Sequence, residues 1–449
     1  TMAAETAGPR VEVLGEGERP GSDFMVDVIK TLGFEYVAAN PGSSYRGLHE
    51  SLVNYGNNVN PEFLTCSHEE ISVAMGHGYY KIEGKPLCVF AHGTVGLHHA
   101  TMALYNAWCD RVPVYVVVGN TMDVQLRRPG IEWNHSSQDP ASVARDFLKW
   151  DDYPASLQHF AESSVRAYKI AMTPPHEPVL LALEEKLQED AIPKGPRPLI
   201  IPKLNMVSPP AGDPNAVREA ARMLAMAENP VIVVDRVGRT PAGVKALVAL
   251  AEALNAPVVD QLGRMNMPNN HHLYNIGGAL IPQADVILGL ELTDFWGTVH
   301  DMDDSAAADY RPRIKPGTKL ISISTGDLYI RANYQDFERY QPIDIVIGAD
   351  AEATLPMLTE YVKQAIPAER RAMIAARGEM PRKLELQGDV EGTLARLEKQ
   401  KTPPRNMCYK LEILDGPEKG KIIELTDLRN VIGQFRQRFG DVVRRVGLP

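Results

Sequence analysis

The stretch from Leu64 to His99, LTCSHEEISVAMGHGYYKIEGKPLCVFAHGTVGLHH, decides how the rest of the chain is read. An acidic pair, Glu69 and Glu70, opens a run of small residues with helical character. A tight turn then leads to a short apolar strand, Pro86–Phe90, and to the polar, glycine-containing loop AHGTVG. A carboxylate at a helix start and a histidine loop at a strand's carboxyl end belong where open α/β sheets place their ligands. An ordinary helix cap followed by a βα turn has the same signature, so the neighbouring segments must discriminate.

Those neighbours alternate between strand and helix. Upstream, DFMVDVIKTLGF is helical and closes at Gly33, EYVAA is a strand, NPGSSYRGLHESL is a turn feeding a helix, and Phe63–Thr65 is a short strand. Downstream come a helix over Leu97–Cys109 and VYVVVG, a β-branched run typical of a parallel strand covered on both faces. A polar, irregular segment, Thr121–Trp150, precedes a helix over Leu157–Met172 and a strand at Val179–Leu183. The alternation predicts an α/β fold, a doubly wound Rossmann-like domain over residues 22–190 that follows a mobile leader, 1–21. The proline-rich stretch 191–212 reads as a linker. A second Rossmann-like domain spans 213–366, with strands in VIVVD, APVVD, ADVILGL, KLISIS and DIVIGAD. Its DRVGRTPAG turn departs from G-x-G-x-x-G, so no dinucleotide site is assigned. Residues 367–449 form a tail of charged helices and a β-hairpin around DGPEKG, which has to pack on something to be stable.

Bulk properties fit this division. A chain of 449 residues has material for two or three domains, and 44% hydrophobic with 23% charged residues is ordinary for a globular protein. The net charge of −10 argues against nucleic acid or an acidic membrane as partner. Cys66, Cys88, Cys109 and Cys408 lack metal-ligand or C-x-x-C spacing and read as small core residues in a reducing compartment. With no apolar signal region and no run of eighteen apolar residues, the expected location is cytoplasmic, without a membrane partner.

Four features, in order, resemble the pyrimidine-binding domain of thiamine diphosphate (ThDP) enzymes of the acetolactate synthase and benzoylformate decarboxylase group. They are the NPGSS turn (Asn40–Ser44), the HEE motif (His68–Glu70) opening a helix that ends GHGYYKIEGKP, the HGTVGLHH loop (His92–His99), and RVPVYVVVGN beyond it. NPVIVVD, LAEALNAPVV, ADVILGL and ISISTGDLYIRANY resemble the same group's central domain, so the likeness covers roughly residues 22–365. It implies an enzyme acting on a small-molecule 2-oxoacid by decarboxylation, carboligation or both, through the C2 ylid of ThDP.

Glu69 matches the glutamate that hydrogen-bonds N1′ of the aminopyrimidine ring and favours the imino tautomer that generates the ylid. A carboxylate in an apolar pocket can share its proton with a ring nitrogen in this way. By the same likeness, Ser43 matches a serine that contacts the substrate carboxylate, and His92 matches a proton-relay histidine of the benzoylformate decarboxylase branch. Pro41, Gly42, Gly96 and His99 fall on cofactor-binding positions, the glycines allowing close backbone approach. His99 stands where the group commonly has asparagine, and His98 is also atypical, which leaves substrate preference open. Trp133, His135 and Gln138 are further candidates to face the substrate.

The group's third domain holds the diphosphate through Mg²⁺, using a GDG motif and a later asparagine. This sequence has no GDG, and TGDLYIRANY belongs to the central domain with the wrong spacing. No metal ligand is therefore assigned here; those of Mg²⁺ are expected on a missing or partner domain. A homodimer, a tetramer or a partner chain carrying the diphosphate domain is implied. Two readings stay open: a catalytic subunit, and a catalytically incomplete relative serving as a structural or regulatory subunit.

Overall fold

The computed structural model describes residues 18–195, 197–302, 310–328 and 339–377, and the backbone of three short strands at 409–413, 422–425 and 443–445. The chain divides into two compact units at Ile366.

The first unit opens with α1 (Gly21–Thr31), β1 (Tyr36–Ala39), α2 (Arg46–Val53), β2 (Glu62–Thr65), α3 (Glu69–Glu83), β3 (Cys88–Ala91), α4 (Gly93–Cys109) and β4 (Tyr115–Asn120). There follow α5 (Glu132–His135), β5 (Trp150–Asp152), α6 (Leu157–Ala171), β6 (Val179–Glu184) and α7 (Glu185–Glu189). The six strands form one parallel sheet in the order β2-β1-β3-β4-β6-β5. Every residue of β3 and β4 is buried. Strand geometry sends successive side chains to opposite faces, so these apolar runs fill two cores. Cys88, Phe90, Tyr115 and Val117 pack with Met25 of α1 and Phe160 of α6, whereas Val89, Val116 and Val118 pack with Val73 of α3 and Leu104 of α4.

Residues 197–213 contain no helix or strand and lead to a second parallel sheet. Its elements begin with α8 (Pro214–Met226), β7 (Pro230–Val234), α9 (Pro241–Leu254), β8 (Val258–Asp260), β9 (Tyr274–Ile276) and β10 (Val286–Leu290). After α10 (Phe295–Val299) and a small antiparallel pair, β11 (His300–Met302) with β12 (Tyr310–Pro312), come β13 (Lys319–Ser324), β14 (Ile345–Gly348) and α11 (Ala351–Ala365). The strand order is β14-β13-β10-β7-β8-β9. Both domains are thus α/β and Rossmann-like, as the sequence implies.

Three features differ from the sequence reading. Edge strands β5 (WDD) and β9 (YNI) complete the sheets, and neither carries an apolar run, their residues being half-buried or exposed. The AHGTVG segment is not a loop. Helix α4 starts at Gly93, directly after His92, which is extended at φ −74°, ψ 117° as its N-cap. Gly93 sits at φ +30° and a side chain there would meet the His135 carbonyl, so glycine admits the sharp entry into the helix. Finally, the end of the expected leader is tied down: Ile192 N–H donates to the Arg19 carbonyl (2.8 Å) and Gly21 N–H to that of Asp190 (2.8 Å).

The second unit contains α12 (Arg371–Arg377) and the antiparallel pair β15 (Tyr409–Ile413) and β16 (Ile422–Leu425) expected as a hairpin. A third strand, β17 (Val443–Arg445), pairs with the other edge of β15. The leader 1–17, the charged segment 378–408 and the DGPEKG turn lie outside the described residues. No described helix is long and apolar enough to cross a membrane.

Within the first unit, Arg264 of the central domain reaches the first domain. Its Nη1 donates to Asp110 Oδ1 (2.8 Å) and its Nη2 to the Asp110 carbonyl (2.8 Å). Nearby, His176 is buried with its Nδ1 2.7 Å from the Tyr80 hydroxyl. Burial first, then the charges of Arg239 and Lys149, push its pKa down to about 3. The unfolded chain accepts this proton near pH 6.5 but the folded chain resists it, so stability falls as pH drops from about 6.5 toward 3. A urea midpoint that declines across this window, with a shallower decline in His176→Asn, is the expected result of a pH series.

Candidate active site

The first sheet grows in opposite directions from β1 and β3: β2 lies beyond β1, and the later strands build outward from β3. The crevice at the carboxyl ends of these two strands is a topological switch point, where ligands of open α/β sheets sit. Asn40–Ser44 follow β1, His92 follows β3, and Glu69 opens α3 just after β2. The topology therefore gathers the three segments that the sequence reading singles out.

Glu69 is 3% exposed. Asn40 Nδ2 donates to its Oε1 (3.2 Å), whereas among the described residues no donor hydrogen-bonds its buried Oε2. His99 Nδ1 stands 3.6 Å from Oε2, beyond hydrogen-bond range, and its ring is exposed. A Cβ on Gly96 would lie 2.7 Å from Oε1, so this glycine makes room for the carboxylate. The Tyr45 hydroxyl donates to the Asn40 carbonyl. Burial, then the Glu69 charge, raises the Tyr45 pKa far above that of a free phenol and keeps it a donor.

His92 is half-buried, and Gly42 lies under its ring, where a Cβ would be 2.5 Å from His92 Cβ and Cγ. Its Nδ1 is 2.8 Å from Ser44 Oγ, and its ring centroid is 5.0 Å from that of His135. Burial first, then His135, lowers its pKa below the ordinary value. His68 caps α3, its Nδ1 accepting from Glu70 N–H (3.2 Å), and its ring stacks on His99 at 4.8 Å and 13°. His68, Glu69 and His99 thereby hold potential ligand atoms within 4.8 Å of one another, but parallel rings do not converge their nitrogen lone pairs on one point.

Ser43 opens the one-turn 3-10 segment Ser43–Tyr45 and is half-exposed, while Pro41 is exposed. It is Ser44, buried at 3%, that touches His92. Of the loop candidates, His135 comes beside His92, whereas Trp133 is 79% exposed with its indole N–H donating to Gly130 O (3.1 Å), and Gln138 is exposed. Asn40, Ser44 and Tyr45 were not singled out by the sequence reading. Asn40 and Ser44 lie within the NPGSS motif, which does not distinguish their roles, and nothing local marks Tyr45.

The central domain has its own switch point between β7 and β10. A cavity of about 470 Å³ opens there toward the first domain, lined among others by Arg236, Arg239, Arg264, Glu291 and His176. The DRVGRTPAG turn thus contributes arginines, not a glycine-rich phosphate loop.

Comparison with known proteins agrees with the two-domain fold. Residues 19–140 match the model of the thiamine pyrophosphate enzyme N-terminal TPP binding domain, and residues 217–358 match that of the thiamine pyrophosphate enzyme central domain. An acetolactate synthase of Bacillus subtilis is 22% identical over 377 residues, covering 78% of this chain and 62% of the relative. A protein named probable 2-ketoarginine decarboxylase from Pseudomonas aeruginosa is 24% identical over 372 residues, covering 77% and 59%. The crystal structure of benzoylformate decarboxylase from Polynucleobacter necessarius superposes with a TM-score of 0.63 at 22% identity, over 78% of this chain and 63% of that one. Two linked Rossmann-like domains, each matching a domain model of one family, define the class. The chain belongs to the thiamine pyrophosphate-dependent enzyme family, through its pyrimidine-binding and central domains. It spans about three fifths of the length of these two curated relatives.

Proposed function

We propose that this chain supplies the pyrimidine half of a ThDP site in an enzyme that acts on a 2-oxoacid by decarboxylation, carboligation or both. The observation that carries this reading is Glu69 Oε2, a buried carboxylate oxygen with no hydrogen-bond donor among the described residues. Leaving such an acceptor unpaired costs about 1–3 kcal/mol, and a ring nitrogen bearing a proton is the partner it lacks. When bound, ThDP supplies the nucleophilic carbon and the electron sink.

The chain's own residues hold and orient. Asn40 fixes one oxygen of Glu69 so that the other is presented, and Gly96 leaves space for that rotamer. Glu69 then holds a proton between itself and the ring nitrogen. His92 stands at the mouth of the same crevice, with Ser43 placed for the substrate carboxylate and Pro41, Gly42 and His99 around the cofactor. Acetolactate synthase and decarboxylase relatives support the 2-oxoacid class.

The diphosphate and Mg²⁺ fall to a domain outside these 449 residues, such as one on a partner chain. Exposed Ile71, Met75 and Ile82 recur at helical spacing on α3, as do Val95 and Met102 on α4, and these apolar side chains support such an association. The location proposed is cytoplasmic. The test is turnover of a panel of aliphatic and aromatic 2-oxoacids with ThDP and Mg²⁺, for the chain alone and with a chain carrying a diphosphate domain. Product formation once that domain is supplied is expected. Silence with every combination favours a structural or regulatory subunit.

A further inference from the structure

Two backbone amides fix the polarity of the hydrogen bonds around His92. An amide N–H can only donate. Gly93 N–H points at Ser44 Oγ (3.0 Å), which must accept there. Ser44 N–H points at His92 Nδ1 (3.4 Å), which must accept as well. The remaining contact, Ser44 Oγ to His92 Nδ1 at 2.8 Å, needs one hydrogen, and only the serine hydroxyl is left to provide it. The chain therefore runs Gly93 N–H to Ser44 O–H to His92 Nδ1.

We propose that Ser44 is a positioning residue that holds His92 Nδ1 as an acceptor and so commits the ring proton to Nε2. Resting on the function proposed above, this makes His92 a donor of a hydrogen bond from Nε2 to a bound group. It is not then a base, since its one free lone pair is sealed by the serine.

The surroundings hold Ser44 in place. Ser44 is 3% exposed, and a Cβ on Gly119 at the end of β4 would lie 2.3 Å from its carbonyl oxygen and 2.4 Å from Oγ, so the hydroxyl is wedged against the sheet. Gln188 Nε2 donates to the Ser44 carbonyl (2.9 Å) while its Oε1 accepts from Leu48 N–H (3.3 Å). Gly42 brings the turn flat against the His92 ring. His92 is also the N-cap of a 17-residue helix, whose positive end disfavours a second proton on the ring. The groups facing His92 act in both directions: His135 and Arg128 oppose its charging, whereas Glu69 and Glu132 favour it.

The test needs neither cofactor nor turnover, so it is separable from the proposed function. In the full chain labelled with ¹⁵N-histidine, long-range ¹H–¹⁵N spectra at neutral pH should show His92 Nδ1 unprotonated and correlated with a hydroxyl proton, with Nε2 carrying hydrogen. A protonated Nδ1 in the wild type overturns the proposal. In Ser44→Ala the hydroxyl correlation should vanish and the Nδ1 signal should move as the second tautomer is populated, whereas Ser43→Ala should leave both signals in place. An unmoved Nδ1 signal in a folded Ser44→Ala, judged by its amide spectrum, also overturns it. Should the alanine variant fail to fold, Ser44→Cys, a weaker donor of similar size, should give a partial shift, and no shift again refutes it.

Discussion

Glu69→Gln is expected to lower ThDP-dependent turnover by about 10²–10⁴-fold, the usual worth of a positioned general acid–base group. The substitution preserves shape and the Asn40 contact at Oε1. What it removes is the ability of the second oxygen to share a proton with a ring nitrogen. Because Oε2 has no hydrogen-bond donor among the described residues, the amide leaves no protein donor stranded. The thermal midpoint should hold or rise while activity collapses. Turnover equal to wild type would refute the role given to Glu69, and a collapse accompanied by unfolding would point instead to a structural role.

Asp110→Ala is expected to destabilise the chain by roughly 2–3 kcal/mol at neutral pH, because it strips Arg264, whose side chain is 6% exposed, of its counter-charge. The loss is smaller than for a fully buried pair because Asp110 is 18% exposed and Arg264 keeps backbone acceptors at Asp110 and Arg111. Burial pushes the Asp110 carboxyl up, but hydrogen bonds from His77 (2.7 Å) and Lys81 (2.6 Å) and the Arg264 charge win, holding it well below the usual carboxylate range. A depressed carboxylate contributes stability that is present above its unfolded value of about 3.9 and lost as pH falls through its folded value. The His176 contribution declines earlier, below about pH 6.5. Urea unfolding of Asp110→Ala against wild type checks this: the gap should persist from pH 7 to 5 and close only in strong acid. A gap that closes by pH 5 would remove Asp110 as its source.

Much of this organisation is legible in the amino acids. Buried parallel strands such as Tyr115–Asn120 announce themselves because apolar residues on both faces leave no polar alternation. Edge strands such as Trp150–Asp152 do not, since one side faces solvent and their residues are half-buried and polar. Glu69 and His92 are visible as a carboxylate and an imidazole at expected positions. The loop reading of AHGTVG differs from the structure because Gly93 bends the chain straight into α4, at a place where the distant His135 carbonyl leaves no room for a side chain. Likewise, nothing in NPGSS says which serine turns inward. That is decided by the close approach of Gly119 and the clasp of Gln188, both contacts between distant segments.

The proposed half of a ThDP site on this chain centres on Glu69. Calorimetric titration with ThDP and Mg²⁺ tests it most directly, using the 449-residue chain alone, the chain with a partner supplying a diphosphate-binding domain, and the same pair with Glu69→Ala. The account predicts tight binding only when the second chain is present, weakened by the alanine. Tight binding by the chain alone, or binding by the pair that ignores Glu69→Ala, would contradict it.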